Sequence, residues 1–126
     1  MIDVTNAAVI LTFIEVESAF KATAYLADRN GGSYGLMQLD VGTARDRGFK
    51  LLPNALYDPC TNVRFGVAQL SFLAKHLEIN GIEASLENIA AAYNSGLAHV
   101  LHGGTDAPYV DKIVAAYKRW SNALII

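Results

Sequence analysis

Apolar residues recur at the spacing of an α-helix in several segments of this sequence, and this periodicity limits the possible folds more than any other feature. Near the N-terminus they fall at Ala7, Ile10, Phe13 and Ile14. The pattern predicts a helix over about residues 4–20, with Thr5 or Asn6 as its N-cap. Since no segment alternates apolar and polar residues strongly enough to predict a long strand, we expect a mainly α-helical domain.

The same periodicity predicts further helices downstream. The longest covers residues 62–80, where most apolar residues fall on one helical face and Gly81 ends the run. That face comprises Val63, Val67, Leu70, Phe72, Leu73 and Leu77. Pro53 and Pro59 bracket a linker before this helix, which we expect to be central and buried. Other helices are predicted over residues 41–48, from Ser85 and from Pro108.

Residues 28–35 have the sequence DRNGGSYG and separate the first helix from the next. Three glycines, an asparagine and a serine in so short a stretch are typical of an irregular loop or a short hairpin. The segment GLMQLD continues directly from this glycine-rich loop.

The composition fits one globular domain over residues 1–126. Apolar residues make up 52% of the 126 residues, which is enough for a single buried core. The formal net charge is -2, so no global basic field would draw the chain to nucleic acid. Cys60 is the only cysteine and the three histidines lack the spacing of a metal cluster, so we expect no disulfide, metal or cofactor.

Glu17 continues the apolar stripe of the first predicted helix. On a helical wheel it lies on the same side as Ile10 and Ile14, whereas Glu15 is rotated to the flank. Burial there would raise the pKa of the carboxyl, and a carboxyl that stays protonated near neutral pH can donate a proton to a leaving oxygen. A structural role, such as capping a backbone group or pairing with an arginine, fits the bare pattern equally well.

Several short motifs follow in order after the first helix. They are Glu17-Ser18 with Phe20, GSYGLMQ at residues 32–38, Gly42-Thr43-Ala44, Asp58-Pro59 with Asn62 and Gly66, AYNSG at residues 92–96, and Tyr109-Val110. In this order they resemble the soluble lytic transglycosylases and their relatives, the goose-type lysozymes, over about residues 10–118. Each motif alone is weak, but their shared order makes a chance match improbable.

The resemblance implies a lysozyme-like helical domain that cleaves peptidoglycan between N-acetylmuramic acid and N-acetylglucosamine. It implies that Glu17 is the catalytic acid and that the glycine-rich loop and the GLMQ segment line the substrate cleft. The residues implied to bind or position the substrate are Ser18, Met37, Gln38, Tyr93, Asn94 and Tyr109. An asparagine amide can pair with an acetamido group and a tyrosine ring can stack on a sugar. Packing within the fold is the alternative for Ser18, Met37 and the two tyrosines.

The chemistry that completes the reaction has two candidate forms. Lytic transglycosylases, as a family, use one glutamate and the C6 hydroxyl of the substrate, which gives 1,6-anhydro ends without consuming water. Ordinary glycosidases need a second carboxylate. Asp28, which precedes the glycine-rich loop, and Asp40, which follows Gln38, resemble the acidic residues of goose-type lysozymes and are candidate bases for inverting hydrolysis. Their alternatives are local, an Asx turn for Asp28 and an N-cap for Asp40. The stretches GTARDRGF, YDPCTNVRFG and PYVDKI favour the transglycosylase branch.

Two further hypotheses remain, and the first of them is from another class. One is a non-catalytic wall-binding or phage structural domain that has kept the fold, but the presence of Glu17 together with Gln38, Tyr93, Asn94 and Tyr109 argues against it. The other is a chitin-active relative, because chitin shares the N-acetylated sugar and the named residues do not discriminate against it.

The expected partner is the glycan strand of peptidoglycan, so the site of action would be the cell wall, in the periplasm or outside. No apolar run approaches the ~18 residues of a membrane span, and no cationic segment precedes the apolar stretch at the N-terminus. We therefore expect a trimmed mature form or delivery by another route, as with phage-encoded lysins.

Overall fold

The structure, a computed structural model, describes residues 1–28 and 31–125. Positions 29 and 30 of the predicted glycine-rich loop lie outside the described residues, as does position 126. The elements in chain order are α1 (Ala7–Ser18), β1 (Tyr25–Leu26), β2 (Ser33–Tyr34), β3 (Leu39–Asp40), α2 (Val41–Asp46), a 3-10 helix (Pro53–Tyr57), α3 (Pro59–Ile79), α4 (Leu86–Ser95), α5 (Leu97–Leu101) and α6 (Ala107–Ala123). The mainly α-helical prediction is confirmed.

Side-chain caps fix the starts of several helices. The side chain of Asn6 accepts a hydrogen bond from the amide of Ala8 at 2.8 Å, so Asn6 is the cap of α1, one of the two that the sequence offered. Asp40 caps α2 and Ser85 caps α4 in the same way, through the amides of Thr43 and Asn88. Pro108 lies in the first turn of α6, as predicted.

Two connections differ from the prediction. Pro59 is the first residue of α3, so it opens this helix and does not close a linker, since proline is well suited to a first helical turn. The linker itself contains the 3-10 helix (Pro53–Tyr57). Helix α5 was not predicted, because five residues after Gly96 are too few to display a helical period.

By its internal contacts the described chain divides into two compact units, and the single-domain interpretation of residues 1–126 stays a prediction. The first unit comprises Met1–Thr12 and the chain from Leu70 onward. Its core is formed by side chains from the helices it contains; among the fully buried residues are Val9, Leu70, Leu77, Ile89 and Ile113. Thr12 is buried as well, and its hydroxyl donates to the carbonyl of Ala8 at 2.7 Å.

The second unit, Phe13–Gln69, contains the small sheet. Three two-residue strands pair antiparallel in the order β1-β2-β3. A hydrophobic cluster that includes Leu39 of β3 contains Ala44, Phe49 and Leu56 as well. Strands β1 and β2, which pair antiparallel, form a hairpin, and Ser33 and Tyr34 of the predicted loop belong to β2. A hairpin is one of the two forms that the composition predicts.

In α3 the buried stripe differs from the predicted apolar face. Leu70, Leu73 and Leu77 are buried, but Val63, Val67 and Phe72 are only half-buried. Towards the N-terminus the stripe continues through Gly66 and Asn62 instead. A count of apolar residues does not detect these two positions, because one is polar and the other has no side chain.

Candidate active site

Glu17 lies in the last turn of α1 and is half-buried. The helix ends directly after it, where Ala19 and Phe20 adopt positive φ angles of 50° and 66°. Glu15 is half-buried too, so burial does not separate the two carboxylates as the helical wheel predicted. Residues 15–18 are all half-buried, so no side of this helix end is fully buried against the rest of the protein.

Ser18, the last residue of α1, directs its hydroxyl back into the helix. Its Oγ donates to the carbonyl of Ile14 at 3.1 Å. The hydroxyl proton therefore serves the helix end, and only the oxygen remains to accept a hydrogen bond. This contact favours the structural alternative for Ser18.

Gly35 begins the turn that joins β2 to β3. Its φ angle is 76°, and its amide donates to the carbonyl of Ala24 at 2.8 Å. A Cβ atom at this position would come within 2.5 Å of Asn62 Nδ2 and of the Leu56 carbonyl oxygen. Both the backbone angle and the available space therefore require glycine here.

Gln38 ends the same turn with a φ angle of 49°, which is uncommon for a residue with a side chain. Its Nε2 donates to the carbonyls of Ala24 at 3.1 Å and Gly35 at 3.0 Å. The side chain thus ties the strained turn to the residue before β1. Strained backbone of this kind concentrates at functional sites, which supports the assignment of Gln38 to the site.

Met37 is fully buried, with 0% of its surface exposed. Its sulfur lies so close to Gly66 of α3 that a Cβ atom at position 66 would overlap it. The side chain therefore packs between the GLMQ segment and α3. This burial favours packing over the predicted sugar contact, although the main chain of Met37 still shapes the turn.

Asn62 of α3 binds the GLMQ segment through hydrogen bonds. It is 0% exposed, and its Oδ1 accepts from the amide of Met37 at 2.8 Å. Its Nδ2 donates to the carbonyls of Tyr34 at 2.7 Å and Leu56 at 2.8 Å. One buried amide therefore fixes the turn relative to both α3 and the end of the 3-10 helix.

Both candidate second carboxylates are engaged in their own loops. Asp28 accepts from the amide of Gly32 and from the Ser33 hydroxyl, each at 2.9 Å. Asp40 accepts from the amide of Thr43 at 3.2 Å and from its hydroxyl at 2.9 Å. The local alternatives, a loop closure for Asp28 and an N-cap for Asp40, are therefore both present in the structure.

The remaining candidates lie in the first unit, around the end of α4. Tyr93 and Tyr109 are half-buried and Asn94 is exposed. Asn94 Nδ2 and Ser95 Oγ both donate to one oxygen of Asp106, at 2.7 and 2.6 Å. Asp106 is the residue just before α6, so its carboxylate connects the C-terminal end of α4 to the start of the helix that carries Tyr109.

The structure thus brings the candidates together in two separate sets. Residues of the GLMQ turn and its flanks, with Glu17 and Ser18, belong to the second unit, whereas Tyr93, Asn94 and Tyr109 belong to the first. Within the described residues there is no group of three or more His, Cys, Asp or Glu side chains that could hold a metal ion.

Comparison with known proteins identifies the family. Residues 4–114 match the Transglycosylase SLT domain, which covers most of the chain. The chain belongs to this family. No curated protein matches it.

Two solved structures share the fold of this SLT domain. The lytic transglycosylase Slt from Pseudomonas aeruginosa, in an inactive mutant form, matches with a TM-score of 0.78 and 25% identity. The 70 kDa soluble lytic transglycosylase from Escherichia coli matches with a TM-score of 0.76 and 22% identity. Each match covers 94% of this chain but only 22% of the larger protein. The lysozyme-like fold predicted from the motifs is confirmed.

Sequence reasoning missed two residues of the SLT domain's candidate site. Asn62 was named in a motif, but no role was assigned to it. Its position four residues before Gly66 places both on one face of α3, and this spacing could have indicated a shared buried contact. Asp106 was not singled out at all. Its location two residues before Pro108 predicts a helix cap, but the side chain makes no capping hydrogen bond and accepts from Asn94 and Ser95.

Hydrogen bonds from Ser95 and Asn94 lower the pKa of Asp106. A lowered pKa in the folded state means that the carboxylate stabilises the fold above the ordinary pKa of aspartate and loses this effect as the pH falls through the lowered value. We expect Asp106→Ala to reduce the free energy of unfolding by about 1 kcal/mol at neutral pH, because water replaces part of these exposed contacts. The difference from wild type should become smaller in acid, as measured by urea unfolding over a pH series. Asp111→Ala, at an exposed position of α6, is the control; a difference at Asp106 that stays constant with pH would contradict the prediction.

Outside the site, the described chain contains no helix with the length and apolar composition needed to cross a membrane.

Proposed function

We propose that this domain cleaves the β-1,4 glycosidic bond between N-acetylmuramic acid and N-acetylglucosamine in bacterial peptidoglycan, as a lytic transglycosylase. The observation that carries the proposal is the SLT family match over residues 4–114, with Glu17 in the last turn of α1. The fold shared with two lytic transglycosylases supports it. The proposed site of action is accordingly the cell wall.

In the proposed mechanism Glu17 acts twice. As a carboxylic acid it donates its proton to the glycosidic oxygen while the bond from that oxygen to C1 of the muramic acid breaks. As a carboxylate it then accepts the proton of the C6 hydroxyl of the same sugar while the C6 oxygen bonds to C1. The products are a 1,6-anhydro end and a free C4 hydroxyl, and no water is consumed.

The Pseudomonas aeruginosa structure points to an essential glutamate in that protein. It is an inactive mutant in which glutamine replaces a glutamate. We propose that Glu17 has the corresponding role here. Its half-buried position restricts water around the carboxyl without closing it off from a substrate, which suits an acid that must reach a glycosidic oxygen.

We propose that Gln38, in the second unit, and Tyr93, Asn94 and Tyr109, in the first, contact the glycan. Gln38 and Asn94 carry amides that suit acetamido and hydroxyl groups, and the two half-buried tyrosines combine a ring with a hydroxyl. For Ser18 and Met37, the contacts described above favour a supporting role in shaping the helix end and the turn.

Inverting hydrolysis of the same bond, with Asp28 or Asp40 as the base, is the alternative. The flanking of the GLMQ segment by two aspartates favours it. Against it, both carboxylates accept two hydrogen bonds from their own loops, so each already has a structural role there. We therefore favour the single-acid mechanism.

Mass spectrometry of digested peptidoglycan distinguishes the two reactions. We expect muropeptides with 1,6-anhydro ends. Each is lighter than the same muropeptide with a reducing end by the mass of one water molecule. A digest with reducing ends alone would overturn the transglycosylase mechanism. In that case Asp28→Asn and Asp40→Asn become the deciding variants, and Asp40→Asn is the cleaner one because asparagine also caps helices.

A further inference from the structure

Three tyrosines of the second unit form a contiguous aromatic cluster that the proposed mechanism does not use. The ring centroids of Tyr25 and Tyr34 are 5.0 Å apart with an interplanar angle of 67°. Those of Tyr34 and Tyr57 are 5.2 Å apart at 62°. These edge-to-face contacts hold the three rings, called here the tyrosine cluster, in fixed orientations.

Tyr25, at one end of the cluster, contacts Gly32 and Tyr34 but is still partly exposed to solvent. A Cβ atom at Gly32 would lie closer to Cε1 and the hydroxyl oxygen of Tyr25 than to Cζ, the atom bonded to both. Such a position is beside the ring and not above it, so Gly32 contacts the edge of the ring. Nevertheless 50% of Tyr25 is exposed, and its neighbour Leu26 is 64% exposed. One edge of the ring thus lies against Gly32, while the residue as a whole is half exposed to solvent.

The tyrosine cluster is attached to the GLMQ turn through the backbone. The carbonyl of Ala24, the residue before Tyr25, accepts from both the amide of Gly35 and the side chain of Gln38. Asp28 closes the hairpin at the other side of β1. Burial raises the pKa of Tyr34, and the nearby Tyr25, Tyr57 and Asp28 add to this effect, so the central phenol stays uncharged. The cluster is therefore joined to Gln38 and the GLMQ turn through the backbone.

We propose that the tyrosine cluster is a sugar-stacking surface, led by Tyr25, that binds the glycan strand at a position away from the cleaved bond. The inference rests on the proposed function in that the polymer is peptidoglycan. A pyranose ring presents an apolar C–H face with hydroxyls at its rim, which matches a tyrosine ring with its hydroxyl. A polymeric substrate extends past the reacting sugars, so a surface joined to Gln38 lies where further sugars can reach it.

Co-sedimentation with purified, insoluble peptidoglycan tests the proposal. All proteins carry Glu17→Gln, so that the polymer is not degraded during the measurement. We expect Tyr25→Ala to weaken binding by about tenfold, the loss typical of one favourable aromatic contact. Tyr25→Phe keeps the ring and should bind like its parent. Leu26→Ala, which removes exposed apolar surface from the same strand without removing a ring, is the matched control and should also bind like its parent.

The outcomes separate this inference from the proposed function. Equal binding by Tyr25→Ala and its parent overturns the stacking surface, as does an equal loss in Leu26→Ala, which would indicate unspecific apolar adsorption. Circular dichroism of each variant checks that its fold is retained. If the unmodified protein fails to lyse peptidoglycan while binding still depends on the Tyr25 ring, the proposed function is wrong and the stacking surface stands.

Discussion

Glu17→Gln should lose nearly all lytic activity while keeping the fold. The amide is nearly the same size as the carboxyl but cannot donate an acidic proton to the glycosidic oxygen. General acid catalysis typically contributes about 10²–10⁴-fold to a rate, so we expect a loss of at least about a hundredfold in the initial rate of peptidoglycan lysis. The thermal unfolding midpoint should change little, because the side chain is only half-buried in the last turn of α1.

Glu15→Gln is the matched control for this prediction. Glu15 lies in the same helical turn and has the same half-buried character, so its replacement changes the charge near the site equally. We expect it to retain activity. Full activity in Glu17→Gln, or an equal loss in both variants, would contradict the assignment of Glu17 as the acid.

Asn62→Ala should be the most destabilising substitution among the site residues. It removes three hydrogen bonds and leaves the Met37 amide and the carbonyls of Tyr34 and Leu56 without their partner. Each unsatisfied buried group costs about 1–3 kcal/mol, so we expect a loss of about 3–5 kcal/mol in the free energy of unfolding. The midpoint of thermal unfolding should fall by roughly 10–20 °C, as calorimetry would show.

Two further variants isolate the cause. Asn80→Ala removes one exposed hydrogen bond to the carbonyl of His76 and should lower the midpoint only slightly. Asn62→Asp keeps an acceptor for Met37 but turns a carboxylate oxygen towards two carbonyl oxygens, so it should be destabilising too. If Asn62→Ala unfolded at the wild-type temperature, the role of Asn62 in holding the GLMQ turn would be refuted.

Much of the helical framework could be predicted because its signals are local. Asn6, Asp40 and Ser85 act on amides only two or three residues away, so the sequence alone shows where α1, α2 and α4 begin. The two-residue strands and α5 could not be predicted, since their conformation depends on pairing and packing with distant residues and not on a pattern of their own.

The candidate site was less predictable, because a motif records which residues matter but not how they act. Met37 and Gln38 are neighbours in one motif, yet the first is fully buried against Gly66 and the second holds the backbone turn. Similarly, Asn94 was expected as a substrate contact, and its partner Asp106 lies twelve residues away in the sequence. Contacts over such distances leave no periodic trace, so only the structure reveals them.

The hydrogen bonds made by Gln38 also determine whether its side chain can donate to a ligand or only accept from it. A glutamine amide has two N–H donors, and Nε2 already donates to two main-chain carbonyls. What its side chain can offer a sugar is therefore the oxygen, which only accepts. Any group that meets it must bring its own proton, as a hydroxyl or an acetamido N–H does. An esterified hydroxyl has no proton to donate, so acylation of the sugar hydroxyl that meets Gln38 would remove this hydrogen bond.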